Sequence, residues 1–278
     1  MELIIQPTKG WSRLNWRELL HYRDLLLLLV RRDFVSKYKQ TILGPLWFII
    51  QPLMTTLVFT VIFGRVAKIS TDDLPMMLFY LCGMLGWQYF AECIRGTSAT
   101  FVVNQGIFGK VYFPRLVVPV SVVTSNLLAL GIQFGTFTAF WIYFRFFTPA
   151  TVSWSPWSVV FLPLLIVQQA ALGLGVGLWL SSLTAKYRDF MHLTGFLTQL
   201  WMYATPVVYP LSVIPERWRW VSVLNPMTQM VEAYRLLLLG QGTVEWRYIA
   251  VGVFMTAMLL VTGVMIFSKT EKDFIDTV

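Results

Sequence analysis

Residues 45–63 read PLWFIIQPLMTTLVFTVIF, nineteen positions without one charged side chain. A helix of that length rises about 28 Å at 1.5 Å per residue, close to the hydrocarbon thickness of a bilayer. A helix that is apolar all round belongs in lipid or in the core of a large protein, not on the surface of a small one. Five more stretches share this character: 74–91, 116–144, 156–185, 190–209 and 248–267. The fold class that follows is all-α integral membrane, with six transmembrane helices. The third and fourth stretches are longer than a bilayer requires and are expected to tilt or project.

Composition agrees. The chain has 278 residues, 56% hydrophobic and 13% charged, against about a quarter charged in a soluble domain. Its mean hydropathy is +0.64. The net charge of +8 would suggest nucleic acid on a soluble chain. Here the basic residues lie between apolar runs, so no nucleic-acid partner is expected and contact with anionic membrane lipid is. Fifteen of the 22 Lys and Arg residues fall in the first 44 residues, the second and fourth connections and the C-terminal tail. The positive-inside rule then places both termini in the cytoplasm of a multi-pass protein. Cys82 and Cys93 are eleven apart on one expected helix, about 16 Å and too far to bridge. The leucine run at 25–30 is too short for a signal-peptide core, so no cleavable signal is expected.

Two segments depart from the spanning pattern. In residues 14–38, Arg17, Asp24 and Arg31 are seven apart and share a helical face, while leucines cover the rest. Such a helix is expected to lie in the membrane interface. In residues 210–240, Asn225-Pro226 reads as an N-cap followed by proline at the first helical position, and Gly240 as a stop. Fourteen residues reach only about 21 Å. Two short helices, with Met227, Met230, Val231, Tyr234 and Leu238 on one face of the second, are therefore expected to dip into the outer leaflet as a re-entrant pair. The expected organisation is a cytoplasmic tail and interface helix over 1–44, then a six-span domain over 45–278.

The chemistry that is missing narrows the function. No G-x-x-x-x-G-K-[ST] occurs; Gly106 to Lys110 has the wrong spacing and no Ser or Thr after the lysine. No metal-ligand spacing is present, and His21 and His192 lie far apart. Neither a catalytic residue, a metal nor a cofactor is expected in this chain. No carboxylate falls inside a span, which argues against proton- or sodium-coupled transport. Glu92, near Arg95, reads as an ion pair at a helix end. The spans do hold Gln51, Gln88, Gln133, Gln168, Gln169 and Gln199, whose amides can bond between helices or to a polyhydroxylated solute. Most aromatics fit interface belts. Trp47, Phe48, Trp87, Tyr89, Trp201 and Tyr203 could instead line a passage and stack on sugar faces.

The order of basic helix, six spans, long second connection and hairpin before the last span resembles the type-2 ABC transporter permeases that export O-antigen, capsule and teichoic-acid chains. The resemblance covers essentially the whole chain. Residues 37–47, KYKQTILGPLW, look like that family's basic and aromatic approach to the first span. Residues 104–115, NQGIFGKVYFPR, are similar to its cytoplasmic coupling segment, with Tyr187-Arg188-Asp189 after the fourth span. Thr205-Pro206, Pro215, Asn225-Pro226 and Tyr234-Arg235 match its gate helices. Thr270-Glu271-Lys272 departs from the usual Leu-Glu-Lys.

The resemblance implies a homodimer bound to two copies of a separate ABC ATPase that holds ATP and magnesium, in a bacterial inner membrane. Asn104, Gln105, Phe108, Lys110, Tyr112, Phe113, Pro114 and Arg115, within a coupling segment spanning 96–115, would dock on the ATPase. Pro215, Asn225, Pro226, Tyr234 and Arg235 would belong to a gate hairpin over 210–240, ahead of a cytoplasmic tail at 268–278. A lipid-linked polysaccharide would cross between. Arg31, Arg32, Lys37 and Lys39 sit at headgroup level, where guanidinium and ammonium groups suit a lipid phosphate, or anchor the chain to anionic lipid. An exporter of a small lipid or drug, and a membrane transferase using Glu92 or His192, are the other readings.

Overall fold

The computed structural model describes residues 21–108, 110–111 and 113–275, the last four by backbone alone. Residues 1–20, with Arg17 and the start of the expected interface helix, and Tyr112 lie outside the described residues. Eleven α-helices are described: α1 Arg23–Ser36, α2 Trp47–Phe59, α3 Met76–Ser98, α4 Thr100–Val103, α5 Gln105–Phe108, α6 Val117–Phe147, α7 Ser158–Lys186, α8 Phe190–Ala204, α9 Glu216–Val223, α10 Pro226–Leu239 and α11 Trp246–Ile275. No strand occurs among the described residues.

Among the described residues four helices are long and apolar enough to cross a membrane: Gly44–Val66, Val117–Phe147, Ser158–Lys186 and Trp246–Glu271. The first is composite, since α2 opens with a 3-10 turn and closes in the wide π-helix Thr60–Val66. Pro52 sits inside it and removes one backbone donor. The remaining two expected spans differ from the sequence reading. The stretch 74–91 is helical over Met76–Ser98, continuing past Glu92 and Arg95, which pair with each other at 2.7 Å. The stretch 190–209 stops being helical at Ala204, because Pro206 holds Thr205 extended at φ −100°, ψ 141°. At about 22 Å, α8 is shorter than the hydrocarbon layer.

The bundle is organised around α3, which packs against α2, α6, α7, α8 and α10, while α7 lies along α11 and α1 along α6. Glycines set these approaches. A Cβ on Gly173 or Gly177 would come within 2.8 Å of Cys93 Cβ or 2.5 Å of Thr97 Cβ on α3. On the other side of α7, a Cβ on Gly175 would sit 2.7 Å from Leu260 N of α11. Backbones can come this close only where side chains are absent.

The helix α1 buries part of its leucine face in protein. Leu29 and Val30 are buried, and Leu29 joins Phe101, Phe108, Phe113, Val117, Leu178, Val264 and Phe267 in a cluster at one end of the bundle. That end, the basic end, also carries α4, α5 and Glu271. The opposite end carries α9 and α10.

Candidate functional site

The basic cluster before α2 divides. Arg31 and Lys39 are exposed. Arg32 pairs with Asp33 at 2.7 Å and its Nη2 donates to Asn104 Oδ1 at 3.2 Å. Ser121 Oγ of α6 donates to Asp33 Oδ2 at 3.2 Å. Lys37 Nζ donates to Asn126 Oδ1 at 2.5 Å and lies 3.8 Å from Glu92 Oε2. Two of the four headgroup candidates are thus tied to protein, and two face outward.

Two polar hollows adjoin across α3. One, of about 150 Å³, is lined by Lys37, Tyr38, Trp47, Gln51, Gln88, Glu92 and Gln133 among others. The second, of about 310 Å³, is lined by Trp87, Gln88, Arg95, Thr198, Gln199 and Tyr203 among others. The structure therefore brings Trp47 and Gln51 together in the first and Trp87 and Tyr203 in the second. Tyr89 and Trp201 face neither. Tyr89 is buried with its hydroxyl donating to Val123 O at 3.4 Å. Trp201 stacks edge-on against Phe90 and its Nε1 donates to Asn225 Oδ1 at 3.0 Å. Of the six span glutamines, Gln51, Gln88, Gln133 and Gln199 line these hollows. Gln169 alone bridges helices through both amide atoms: its Oε1 accepts from Tyr234 Oη at 3.0 Å and its Nε2 donates to Gly86 O.

The segment 104–115 is gripped on one side and open on the other. Phe101 stacks on Phe267 at 4.9 Å and meets Phe108, which meets Phe113. The Arg115 guanidinium lies 5.2 Å over the Phe108 ring, and its Nη1 donates to Glu271 O at 3.2 Å. Burial holds the Arg115 guanidinium below its ordinary value, against the opposing pull of the Glu271 carboxylate. Asn104 Nδ2 caps Thr100 O at 3.1 Å. Gln105 and Lys110 are exposed, as are Val103, Ile107 and Val111, at 72%, 38% and 59%. Val103 ends α4, Ile107 lies in α5 and Val111 in the bend beyond it, so three exposed apolar side chains fall within nine residues, a stripe along the sequence of the kind that protein partners cover.

At the opposite end α10 forms as its sequence dictates. Asn225 Oδ1 accepts from Met227 N at 3.1 Å, Pro226 follows, and Gly240 closes the helix at φ 78°. Asn225 Nδ2 also donates to Thr205 Oγ1 at 2.8 Å, fastening α10 to the end of α8. Pro215 sits at the start of α9. Contrary to a one-sided helix, α10 is buried on nearly every face; Leu236 is its one exposed residue.

Arg235, which the resemblance assigned to the gate hairpin, is among the largest fully buried side chains. It pairs with Glu232 at 2.7 Å, donates to Val207 O at 2.9 Å and covers Phe79 at 3.8 Å. Glu232 was missed as a partner, although an acid three residues before an arginine in an apolar run is a legible i,i+3 signal. A third hollow beside α10, about 730 Å³ and almost wholly apolar, lies between α7 and α11.

The sequence model of the family described as ABC-2 type transporter matches residues 24–239. The chain belongs to the ABC-2 type transporter family. The matched region runs from α1 through α10, so both polar hollows, the 104–115 segment and the buried Arg235 network are built mostly from the part shared with that family. The chain is 30% identical over 254 residues to the O-antigen export system permease protein RfbA of Klebsiella pneumoniae, covering 90% of this chain and 93% of that one. It is 27% identical over 274 residues to the protein of the same name in Myxococcus xanthus, covering 94% and 98%. It is 23% identical over 246 residues to the polysialic acid transport protein KpsM of Escherichia coli, covering 85% and 87%.

Proposed function

We propose that this chain is the transmembrane subunit of an ATP-driven exporter that moves a lipid-linked polysaccharide, O-antigen-like in kind, from the cytoplasmic to the outer face of a bacterial inner membrane. The observation that carries the reading is similarity along nearly the full length to permeases named for O-antigen export. The adjoining hollows suit such a cargo. Their amides and aromatic faces can hydrogen-bond and stack on sugars, and their charged groups, Lys37, Glu92 and Arg95, are already paired with one another.

In this reading two copies of the chain form a homodimer on two copies of an ABC ATPase, which alone binds ATP and magnesium. Each copy spans the membrane six times with both termini cytoplasmic, α3 and α8 completing the set begun by the four long apolar helices. The basic end then faces the cytoplasm, and the stripe Val103, Ile107 and Val111 docks on the ATPase. Its closure is passed through Phe108 and Phe113 to α6, α7 and α11, which share that cluster. Helices α9 and α10 form a re-entrant gate pair in the outer leaflet, and Arg31 and Lys39 meet lipid phosphate.

The apolar groove of about 730 Å³ favours a second reading, export of a small lipid by the same machinery. Deletion of the chain's gene followed by staining of surface polysaccharide decides between them. Loss of surface glycan, restored by the gene, supports the polysaccharide exporter; unchanged glycan refutes it. A Walker-motif ATPase co-purifying at one-to-one stoichiometry is expected in either case.

A further inference from the structure

Glu92 is a carboxylate held between two cations that come from different parts of the chain. Its Oε1 lies 2.7 Å from Arg95 Nη2 and its Oε2 lies 3.8 Å from Lys37 Nζ. Lys37 and Glu92 line the smaller hollow and Arg95 lines the larger. Gln88, one helical turn before Glu92 on the same face of α3, lines both. The carboxylate therefore stands on the partition between the two spaces. Gln88 Oε1 is buried there and has no hydrogen-bond partner, and an unpaired buried polar atom marks a place where a ligand or water group belongs.

We infer that Glu92 is an internal counter-ion occupying the seat of a diphosphate group, and that Lys37, Arg95 and Gln88 form the subsite that holds the diphosphate once Glu92 turns aside. Charge sets the ligand class. One carboxylate neutralises one of the two cations; with it turned away, the pair presents two positive charges, matching the two negative charges of a diphosphate diester. Geometry supplies a fixed and a mobile half. Asn126 accepts from Lys37 and orients the ammonium, whereas Glu92 has no contact beyond the two cations among those described. The side chains of Lys37, Glu92 and Arg95 are 34%, 37% and 50% exposed, so the seat is reachable. Ion pairs this exposed add little to stability, and exchanging one partner for another costs little. Arg32 is not part of the subsite, because Asp33 and Asn104 already engage it.

The inference rests on the proposed export of a lipid-linked cargo, and its test is independent of export. The full chain is purified into nanodiscs, and equilibrium binding of farnesyl diphosphoryl-N-acetylglucosamine, a diphosphate diester, in the bilayer is measured for wild type, Glu92→Gln, Lys37→Gln and the double variant. Removing the counter-ion should tighten binding about fivefold, the scale of two exposed ion pairs. Lys37→Gln should weaken it by a similar factor, and the double variant should return near wild type. Melting temperatures check that all four are folded. A Glu92→Gln protein that binds no tighter, or a Lys37→Gln protein that binds as wild type does, overturns the subsite. Should Glu92→Gln fail to fold, the Lys37→Gln and Arg95→Gln proteins alone decide it. UDP-N-acetylglucosamine, a diphosphate diester in solution, is the second probe. Tighter binding of the lipid form assigns the subsite to a membrane-borne headgroup, and equal binding assigns it to a soluble diphosphate. Unchanged surface glycan on gene deletion would remove the export reading and leave these binding ratios standing.

Discussion

Glu232 and Arg235 stand one turn apart on α10 as an ion pair of 2.7 Å, with side chains 3% and 2% exposed. The pair fastens three elements. Glu232 Oε2 accepts from Thr243 N at 3.0 Å and from its hydroxyl at 3.2 Å, holding the segment before α11. Arg235 reaches Val207 O and the Phe79 ring, holding the segment after α8 and the start of α3. The joint leaves no room at α3, where a Cβ on Gly83 would meet Val207 O at 2.8 Å.

Removing one member strands the other without water. Arg235→Met or Glu232→Leu should each cost about 3–5 kcal/mol, read as a lowered unfolding midpoint in detergent. The double variant should lose less than the sum of the two, because no uncompensated charge remains. Single variants as stable as wild type would show that the pair is not the fastening.

Close glycine contacts separate from idle ones. Gly175→Ala places a methyl 2.7 Å from the Leu260 backbone, which cannot yield as a side chain tip does, so about 1–3 kcal/mol of destabilisation is expected. Gly135→Ala on α6 meets nothing within 4 Å and should be neutral or stabilising by up to about 1 kcal/mol through helix propensity. Thermal melts of both proteins check the contrast; equal melting temperatures would refute it.

On the coupling side, Phe113→Ala and Ile107→Glu should fail differently. Phe113 is buried in the aromatic cluster, so its truncation should leave the ATPase bound but uncouple hydrolysis from export. Ile107 is on the open stripe, so a charge there should release the ATPase. Pull-down alongside surface-glycan staining distinguishes the two, and wild-type export from Phe113→Ala removes its proposed role.

Arg31 and Lys39 should also separate from Arg32. Arg31→Gln and Lys39→Gln alter exposed side chains and are expected to reduce export with the melting temperature unchanged. Arg32→Gln also breaks the contact to Asn104, and should lower both. Full surface glycan in the Arg31 and Lys39 variants would count against a headgroup role.

How legible each part was follows from the range of the forces involved. The all-helical class and the four long apolar helices could be read from residues 45–63 and their counterparts, and the Asn225, Pro226 and Gly240 boundaries from the residues themselves. A lipid environment acts on every residue of a span, and a cap acts within four residues. The same local reading failed where partners come from afar. Nothing near Lys37 in sequence announces Asn126 or Glu92, nothing near Arg32 announces Asn104, and α1 buries Leu29 against a cluster contributed by α4, α6, α7 and α11.

Sequence alone therefore determined that this chain is a helical membrane protein without nucleotide-binding motifs, because hydropathy and motif spacing are properties of contiguous residues. Tertiary structure alone decided which polar groups face a hollow and which are locked away. Trp47, Gln51 and Tyr203 line open space, while Trp87, Tyr89 and Arg235 are buried and Trp201 is engaged by other helices. The helical period assigns a residue to a face, but what lies opposite that face is set by the packing of helices distant in sequence.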